Sequence, residues 1–316
     1  MNNILILSFL IILYFILTMK KQITGGRQEN KKTQPLYAFV TLMFGGDSYL
    51  PGVLTLAYSI QKTDSKYDVI CMITDDVSSD AINEMKKQNI IVVNVPYLEY
   101  KSKPMSTAKQ QAAYKWMSKS YTKWNCLTLT KYNKILFLDA DMLVKKNIDH
   151  IFNLYKAPAA RFTNEIYKTK YNWKLSVQPS EIKYILKNRL PVGNASIMLL
   201  SPNINHFNNL KKMIKSMEPF GFNSLSGMDE QSIAFFMSVY DTGPKLPWDN
   251  IDAKYESSWR SGESSNEAYI LNFTGTVKPW ERNLSNEFTD TKYWYVINEE
   301  RINSILYNEH KQKKHQ

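Results

Sequence analysis

Two carboxylates two positions apart, Asp139 and Asp141 in "ILFLDADMLV" (residues 135–144), interrupt an otherwise apolar run. A buried strand has no use for acids, so these must face something. In extended geometry residues i and i+2 project to one side of a strand, which brings the two carboxylates together and turns Ala140 away. Paired hard oxygens of this kind suit Mg²⁺ or Mn²⁺, and such an ion could bridge the oxygens of a diphosphate. A plainer reading has Asp139 capping the turn after the strand and Asp141 solvated. The two cysteines, Cys71 and Cys126, lie inside apolar stretches where cysteine behaves as a small core residue. A metal site in this chain therefore has to use oxygen ligands.

Other polar groups stand out against apolar surroundings. "NFTGTVKPW" (272–280) sets Gly275 three residues ahead of Lys278. "GMDEQSIAFF" (227–236) places Asp229 and Glu230 at a helix start, where acids commonly cap the helix and offset its dipole. Lys123 in "YTKWNCLTL" reads on composition alone as a solvated helix lysine, and Tyr49 in "GGDSY" as an exposed loop tyrosine.

The elements that must position these groups alternate. "YAFVTLM" (37–43), "YDVICMIT" (67–74), "IIVVNV" (90–95), "ILFL" (135–138), "SIMLL" (196–200) and "AYILNF" (268–273) are short β-rich runs expected of strands covered on both faces. Helical stretches separate the earlier ones: Leu54, Ala57 and Ile60 recur at helical spacing, "SSDAINEMKKQ" opens with capping residues, and a longer helical region covers about 106–131. This alternation predicts an α/β single domain, Rossmann-like, with a mostly parallel central sheet. In such sheets ligands bind beyond the carboxyl ends of the strands, where Asp139 and Asp141 fall. The 316 residues, 44% hydrophobic and 13% aromatic, suffice for one large core.

"LTLTKYNKILFLDADMLVKKNIDHIF" closely resembles the metal-site region of the glycogenin-like members of glycosyltransferase family 8, and "AFVTL" resembles that family's first strand. "NFTGTVKPW" is similar to its closing motif, His-Phe-x-Gly-x-x-Lys-Pro-Trp, and the ordered matches span about residues 36–285. The resemblance implies a GT-A fold and a retaining transfer of a hexose from UDP-glucose or UDP-galactose, assisted by Mn²⁺. It implies Asp139 and Asp141 as metal ligands, with Asp139 and Ala140 also against the donor, Thr41 in the nucleotide-binding strand, Tyr49 stacked on uracil and Lys123 near the donor sugar. Lys278 and Gly275 then line the diphosphate, and Asn194 and Ala195 of "VGNASIMLLSP" touch the sugar. Gln231 matches the glutamine under the sugar's reactive face, with Glu230 or Asp229 the neighbouring acid. Two positions depart from the pattern: Asn272 stands where the family has a histidine as third metal ligand, and Ser196 where glycine is usual. An amide oxygen is a weaker donor than imidazole to Mn²⁺ and shifts preference towards harder ions such as Mg²⁺.

Those departures raise a second function, a membrane-tethered sugar-nucleotide or glycan binder that has kept the fold and lost catalysis. A nucleotidyltransferase would show a basic, glycine-rich loop after the first strand, and "FGGDSY" has no lysine or arginine. The net charge of +11 would suit nucleic acid, an anionic membrane or a phosphorylated substrate. No RRM, zinc-finger or helix-turn-helix signature appears and the lysines are scattered except at the ends, so no nucleic-acid partner is expected.

The amino-terminal residues 4–19, "ILILSFLIILYFILTM", are 16 uncharged residues, slightly short of the roughly 20 that a spanning helix needs, and read as a retained transmembrane anchor. A cleaved signal peptide fits less well, with no basic residue ahead of the core and no small-x-small site after it. Lys20, Lys21, Arg27, Lys31 and Lys32 all follow the segment, which by charge bias leaves the body in the cytosol. The Golgi or ER lumen is the alternative, where the sequons at Asn194, Asn272 and Asn283 would be glycan acceptors. Residues 20–35 then form a linker, 36–290 the catalytic domain and 291–316 a carboxy-terminal helix with a basic tail. Tyr255 and Tyr269 are candidates for self-glycosylation. The acceptor, the choice of donor hexose, the start at Met1 or Met19 and the oligomeric state, a homodimer included, are not legible.

Overall fold

The computed structural model describes residues 35–100, 117–162, 176–188, 194–216, 228–257, 266–275, 277–281 and 290–313. The expected anchor at 4–19 and nearly all of the 20–35 linker lie outside the described residues, as does Asn283. Among the described residues no helix is long and apolar enough to cross a membrane.

In chain order the elements are β1 (Tyr37–Met43), α1 (Leu50–Lys62), β2 (Asp68–Ile73), α2 (Ser79–Lys87), β3 (Ile91–Asn94), a 3-10 helix (Ser120–Thr128), β4 (Lys134–Leu138), β5 (Met142–Val144) and α3 (Ile151–Leu154). There follow β6 (Ala159–Arg161), β7 (Ser176–Val177), α4 (Pro179–Lys187), β8 (Asn194–Leu200), α5 (Ile204–Ser216), α6 (Met228–Ser238), β9 (Trp248–Asn250), a short 3-10 turn (Ala253–Tyr255), β10 (Ile270–Asn272) and α7 (Thr291–Lys313).

The first strands form as their patterns predict. All seven residues of β1 are buried. Alternation sends Ala38, Val40 and Leu42 into one hydrophobic cluster and Tyr37, Phe39 and Met43 into the other, on the opposite face of the sheet. Ile135 and Phe137 against Leu136 and Leu138 repeat the division in β4. Ser78 caps α2 by accepting from the Ala81 N–H, and Gln178 with Glu181 forms a capping box on α4.

The main sheet runs β3-β2-β1-β4-β8-β6-β9-β7. The four strands β3, β2, β1 and β4 are parallel, but β8 runs antiparallel to β4 and β6 antiparallel to β8. "SIMLL" carries no sign of its direction, because a strand buried on both faces reads the same either way. A second, two-stranded sheet pairs β5 with β10, aligning Asn272 with Met142.

The helix expected over 106–131 is, in its described part, mainly the 3-10 helix. Its sequence "SYTKWNCLT" is poor in helix formers, and its polar side chains bond nearby carbonyls: Asn125 Nδ2 donates to Thr122 O and Pro96 O, and Thr128 Oγ1 to Asn125 O. The bonds to Thr122 O and Asn125 O, and the tertiary one to Pro96 O, compete with regular α geometry.

Candidate active site

Asp139 follows β4 directly, and its N–H donates to Ser196 O at 2.9 Å, which extends the β4–β8 ladder by one rung. Beyond it the chain turns: the Met142 N–H donates back to Asp139 O at 3.2 Å. Asp139-Ala140-Asp141 is therefore a tight turn between β4 and β5 rather than extended strand, which corrects the geometry expected from i, i+2 spacing. The turn is pinned from behind. A Cβ added to Gly52 in the first turn of α1 would fall 2.5 Å from Ala140 O and 2.6 Å from the Trp280 ring, so only glycine permits this approach.

Each acid has its own lysine. Lys123, carried by the 3-10 helix and 9% exposed, lies 3.5 Å from Asp139 Oδ1 and 2.8 Å from Asp229 Oδ2. Lys278 donates to Asp141 Oδ2 and, at 3.2 Å, to Phe273 O. Burial alone would lower the pKa of both ammoniums, and the surrounding carboxylates overcome it and raise them. Asp139 is pushed up to about 6, chiefly by desolvation, with Lys123 pulling the other way and Asp141 and Asp229 adding to the rise. Even so, 35% of its side chain stays exposed. Glu230 is raised well above the usual carboxylate range by burial and by Asp229 beside it.

The structure thus groups Lys123 with Asp139, Asp229 and Glu230, and Lys278 with Asp141. Asp229 does not simply cap α6: its carboxylate is an ion-pair partner of Lys123. Tyr49, at the start of α1, sets its ring edge-on to Trp280 at 5.3 Å and 5.9 Å from the Lys278 Nζ. Gln231 is buried in α6. Thr41 is buried in β1, its hydroxyl with no hydrogen-bond partner among the described residues. Asn194 opens β8 opposite Arg161 at a register shift, and Ala195 is buried beside it. Gly275 adopts φ +132, a conformation that favours glycine, with open space where a Cβ would stand.

Asn272 is 2% exposed, and its Nδ2 donates to Glu256 Oε1 at 2.9 Å. Ser196 Oγ also donates to Glu256 Oε1, at 3.5 Å, and Arg161 Nε lies 3.4 Å from Oε2. Sequence reasoning missed Glu256 and Arg161 entirely, because "KYESSW" and "AAR" carry no motif. Gly52 and the packing role of Trp280 were missed as well, and a glycine just after the proline of a helix start was the one available signal. Asn272 is too buried to accept a glycan. Tyr255 is 1% exposed with its hydroxyl 2.6 Å from His150 Nε2, so it is closed to self-modification as the chain is folded.

The residues fit a divalent ion. One oxygen of each aspartate, Asp139 Oδ2 and Asp141 Oδ1, has no hydrogen bond among the described residues, and with Asn272 the donor set is all oxygen.

A sheet with paired aspartates at the end of its central strand and a facing helix that supplies acids defines a glycosyltransferase of the GT-A class. The fold is shared with the galactosyltransferase LgtC in complex with donor and acceptor sugar analogues (TM-score 0.55, 11% identity, covering 83% of this chain and 95% of that one). It is shared also with the glycosyltransferase GlyE of Streptococcus pneumoniae TIGR4 (TM-score 0.51, 14% identity, covering 85% and 64%). The chain belongs to glycosyl transferase family 8, whose model matches residues 40–284. Among its relatives are the uncharacterized protein R707 of Acanthamoeba polyphaga mimivirus (29% identical, covering 78% of this chain and 83% of the relative) and galactinol synthase 3 of Arabidopsis thaliana (23%, covering 86% and 84%). Inositol phosphorylceramide glucuronosyltransferase 1 of Arabidopsis thaliana is 24% identical, covering 77% and 42%. Membership implies a nucleotide-sugar donor and an acceptor.

Proposed function

We propose that the protein transfers a hexose from UDP-glucose or UDP-galactose, with retention at the anomeric carbon, and that Asp139 and Asp141 hold the Mn²⁺ or Mg²⁺ this transfer needs. The observation that carries the reading is the pairing of each aspartate with its own buried lysine around one turn. A bound divalent ion would supply positive charge to the diphosphate of the donor. Lys278 keeps its ammonium beside Asp141 and so brings a second positive charge to the leaving group, where stabilisation lowers the barrier most. Lys123, locked to Asp229, holds Asp139 in place. Gln231, with Glu230 and Asp229 beside it, supports the sugar face as charge develops at the anomeric carbon. Tyr49 and Thr41 serve the nucleotide end, and Asn194, Ala195 and Gly275 let the donor lie close to backbone.

The test incubates the full-length protein with UDP-glucose, UDP-galactose and UDP-glucuronate, the last because several relatives are named glucuronosyltransferases. Mn²⁺, Mg²⁺ or EDTA is added, and free UDP and intact mass are read together. Metal-dependent UDP release with one of the two hexose donors supports the proposal. A second reading, a binder without turnover, is favoured by the two departures from the family's pattern, Asn272 in place of a histidine and Ser196 in place of a glycine. It predicts UDP binding with no release from any donor.

A further inference from the structure

The two positions where the chain departs from its family's pattern, Asn272 and Ser196, lie far apart in sequence and meet on one side chain. Glu256 Oε1 accepts from Asn272 Nδ2 at 2.9 Å and from Ser196 Oγ at 3.5 Å, while its other oxygen faces Arg161 Nε at 3.4 Å. All four residues are buried, with relative exposures between 2% and 5%. The cluster is joined to the aspartate turn through backbone on both sides. Ser196 O accepts from the Asp139 N–H at 2.9 Å, and Phe273, next to Asn272, donates its N–H to Asp141 O at 3.0 Å.

A side-chain amide can in principle present either end, since its oxygen accepts and its nitrogen donates. A carboxylate paired with a guanidinium can only accept, so the end that meets Glu256 has to be Nδ2, whichever way an isolated asparagine would turn. With Nδ2 committed, Oδ1 is the atom that the amide has left to offer. We propose that Glu256 is a positioning residue that fixes the Asn272 amide, so that its carbonyl oxygen completes the donor set begun by Asp139 and Asp141. Arg161 stands against the other oxygen of Glu256 and holds it in place, and the Ser196 hydroxyl gives the same carboxylate a second donor. Orientation of a ligand by a carboxylate behind it is a general feature of metal sites, and loss of that carboxylate costs about 10- to 100-fold in metal affinity. The inference rests on the metal-assisted reading above, and the experiment separates the two.

The measurement is the dissociation constant of Mn²⁺ from the full-length protein with UDP at saturation, followed by the electron paramagnetic resonance signal of free Mn²⁺. The unfolding midpoint in EDTA is recorded alongside. Failure of the unsubstituted protein to bind Mn²⁺ would overturn the metal-assisted function and this inference with it. If it binds, Glu256→Gln is expected to weaken Mn²⁺ about 10-fold or more, and so is Asn272→Ala. In a chain already carrying Asn272→Ala, Glu256→Gln is expected to change the constant no further, because its effect runs through the amide. A merely structural carboxylate would leave the affinity alone or weaken it by the same factor in both backgrounds, and either result sinks the inference while leaving the function standing. Should Glu256→Gln fail to fold because Arg161 loses its partner, Arg161→Met with Glu256→Gln removes both charges. The same loss of Mn²⁺ affinity is then expected, and an unaltered constant overturns the proposal.

Discussion

At the scale of single residues, the two aspartates look equivalent in the sequence and are unequal in the structure. Lys123 has a second and closer carboxylate, Asp229 at 2.8 Å, and the Asp139 side chain is 35% exposed. Neutralising Asp139 therefore strands no charge. Lys278 is buried, and among the described residues only Asp141 and the Phe273 carbonyl accept from its ammonium. Neutralising Asp141 leaves that ammonium short of a counter-charge, and loss of a hydrogen bond to a charged group costs about 1.5–3 kcal/mol. Asp139→Asn and Asp141→Asn are both expected to abolish metal-dependent UDP release. Only Asp141→Asn should also lower the unfolding midpoint, and adding Lys278→Met should recover much of the stability without the activity. Thermal melts and a UDP-release assay on the three variants check this. Equal melting losses for the two single variants would show that the lysines do not divide the site as described.

Elements carry the site where residues alone cannot. The aspartate turn is held against α1 by Gly52 and against the closing loop by Trp280, whose indole N–H donates to Ser48 O at 2.9 Å. Gly52→Ala would place a Cβ 2.5 Å from the Ala140 carbonyl, a backbone atom that cannot swing aside as a side-chain end can. Overpacking of this kind costs about 1–3 kcal/mol, and here the displaced group is the turn that bears Asp139 and Asp141. The expected outcome is a lower midpoint together with at least a tenfold weaker affinity for UDP with Mn²⁺, measured by calorimetry. A variant that loses stability but binds UDP normally would show that α1 supports the fold and not the turn. The parallel strands, α1 and α2 were legible in the sequence because hydrophobic period and capping residues are local signals, as in the alternation of β1 and the Ser78 cap of α2. The direction of β8 and the 3-10 character around Lys123 were not, because strand partners and the pull of Asn125 on distant carbonyls are settled by tertiary contacts.

Across the whole molecule, the site draws on residues from Tyr49 to Lys278, and the sequence marked most of them through motifs whose chemistry is local: paired acids, a glycine before a lysine, acids at a helix start. Glu256, Arg161 and Gly52 escaped because what matters is whom they meet. The same breadth has a thermodynamic consequence. A ligand that binds at the aspartate turn engages β4, the 3-10 helix, α6 and the loop after β10, none of which converge in the unfolded chain. Binding only to the native state stabilises it by about 2.7 kcal/mol at a ligand concentration 100 times the dissociation constant. For a domain of this size that is a rise of roughly 5 °C in the unfolding midpoint. UDP with Mn²⁺ is expected to produce such a rise over EDTA. Asp139→Asn, which leaves the EDTA midpoint close to that of the unsubstituted protein, should remove it. The competing explanation is attraction of a diphosphate to a surface of net charge +11. Surface attraction would ignore the Asp139 substitution and fade at 0.5 M salt, where charges more than about 5 Å apart are screened. A rise that survives Asp139→Asn but not salt would move UDP from the aspartate turn to the basic surface. A rise that needs Asp139 and persists in salt puts the nucleotide where Lys123 and Lys278 already hold the two acids.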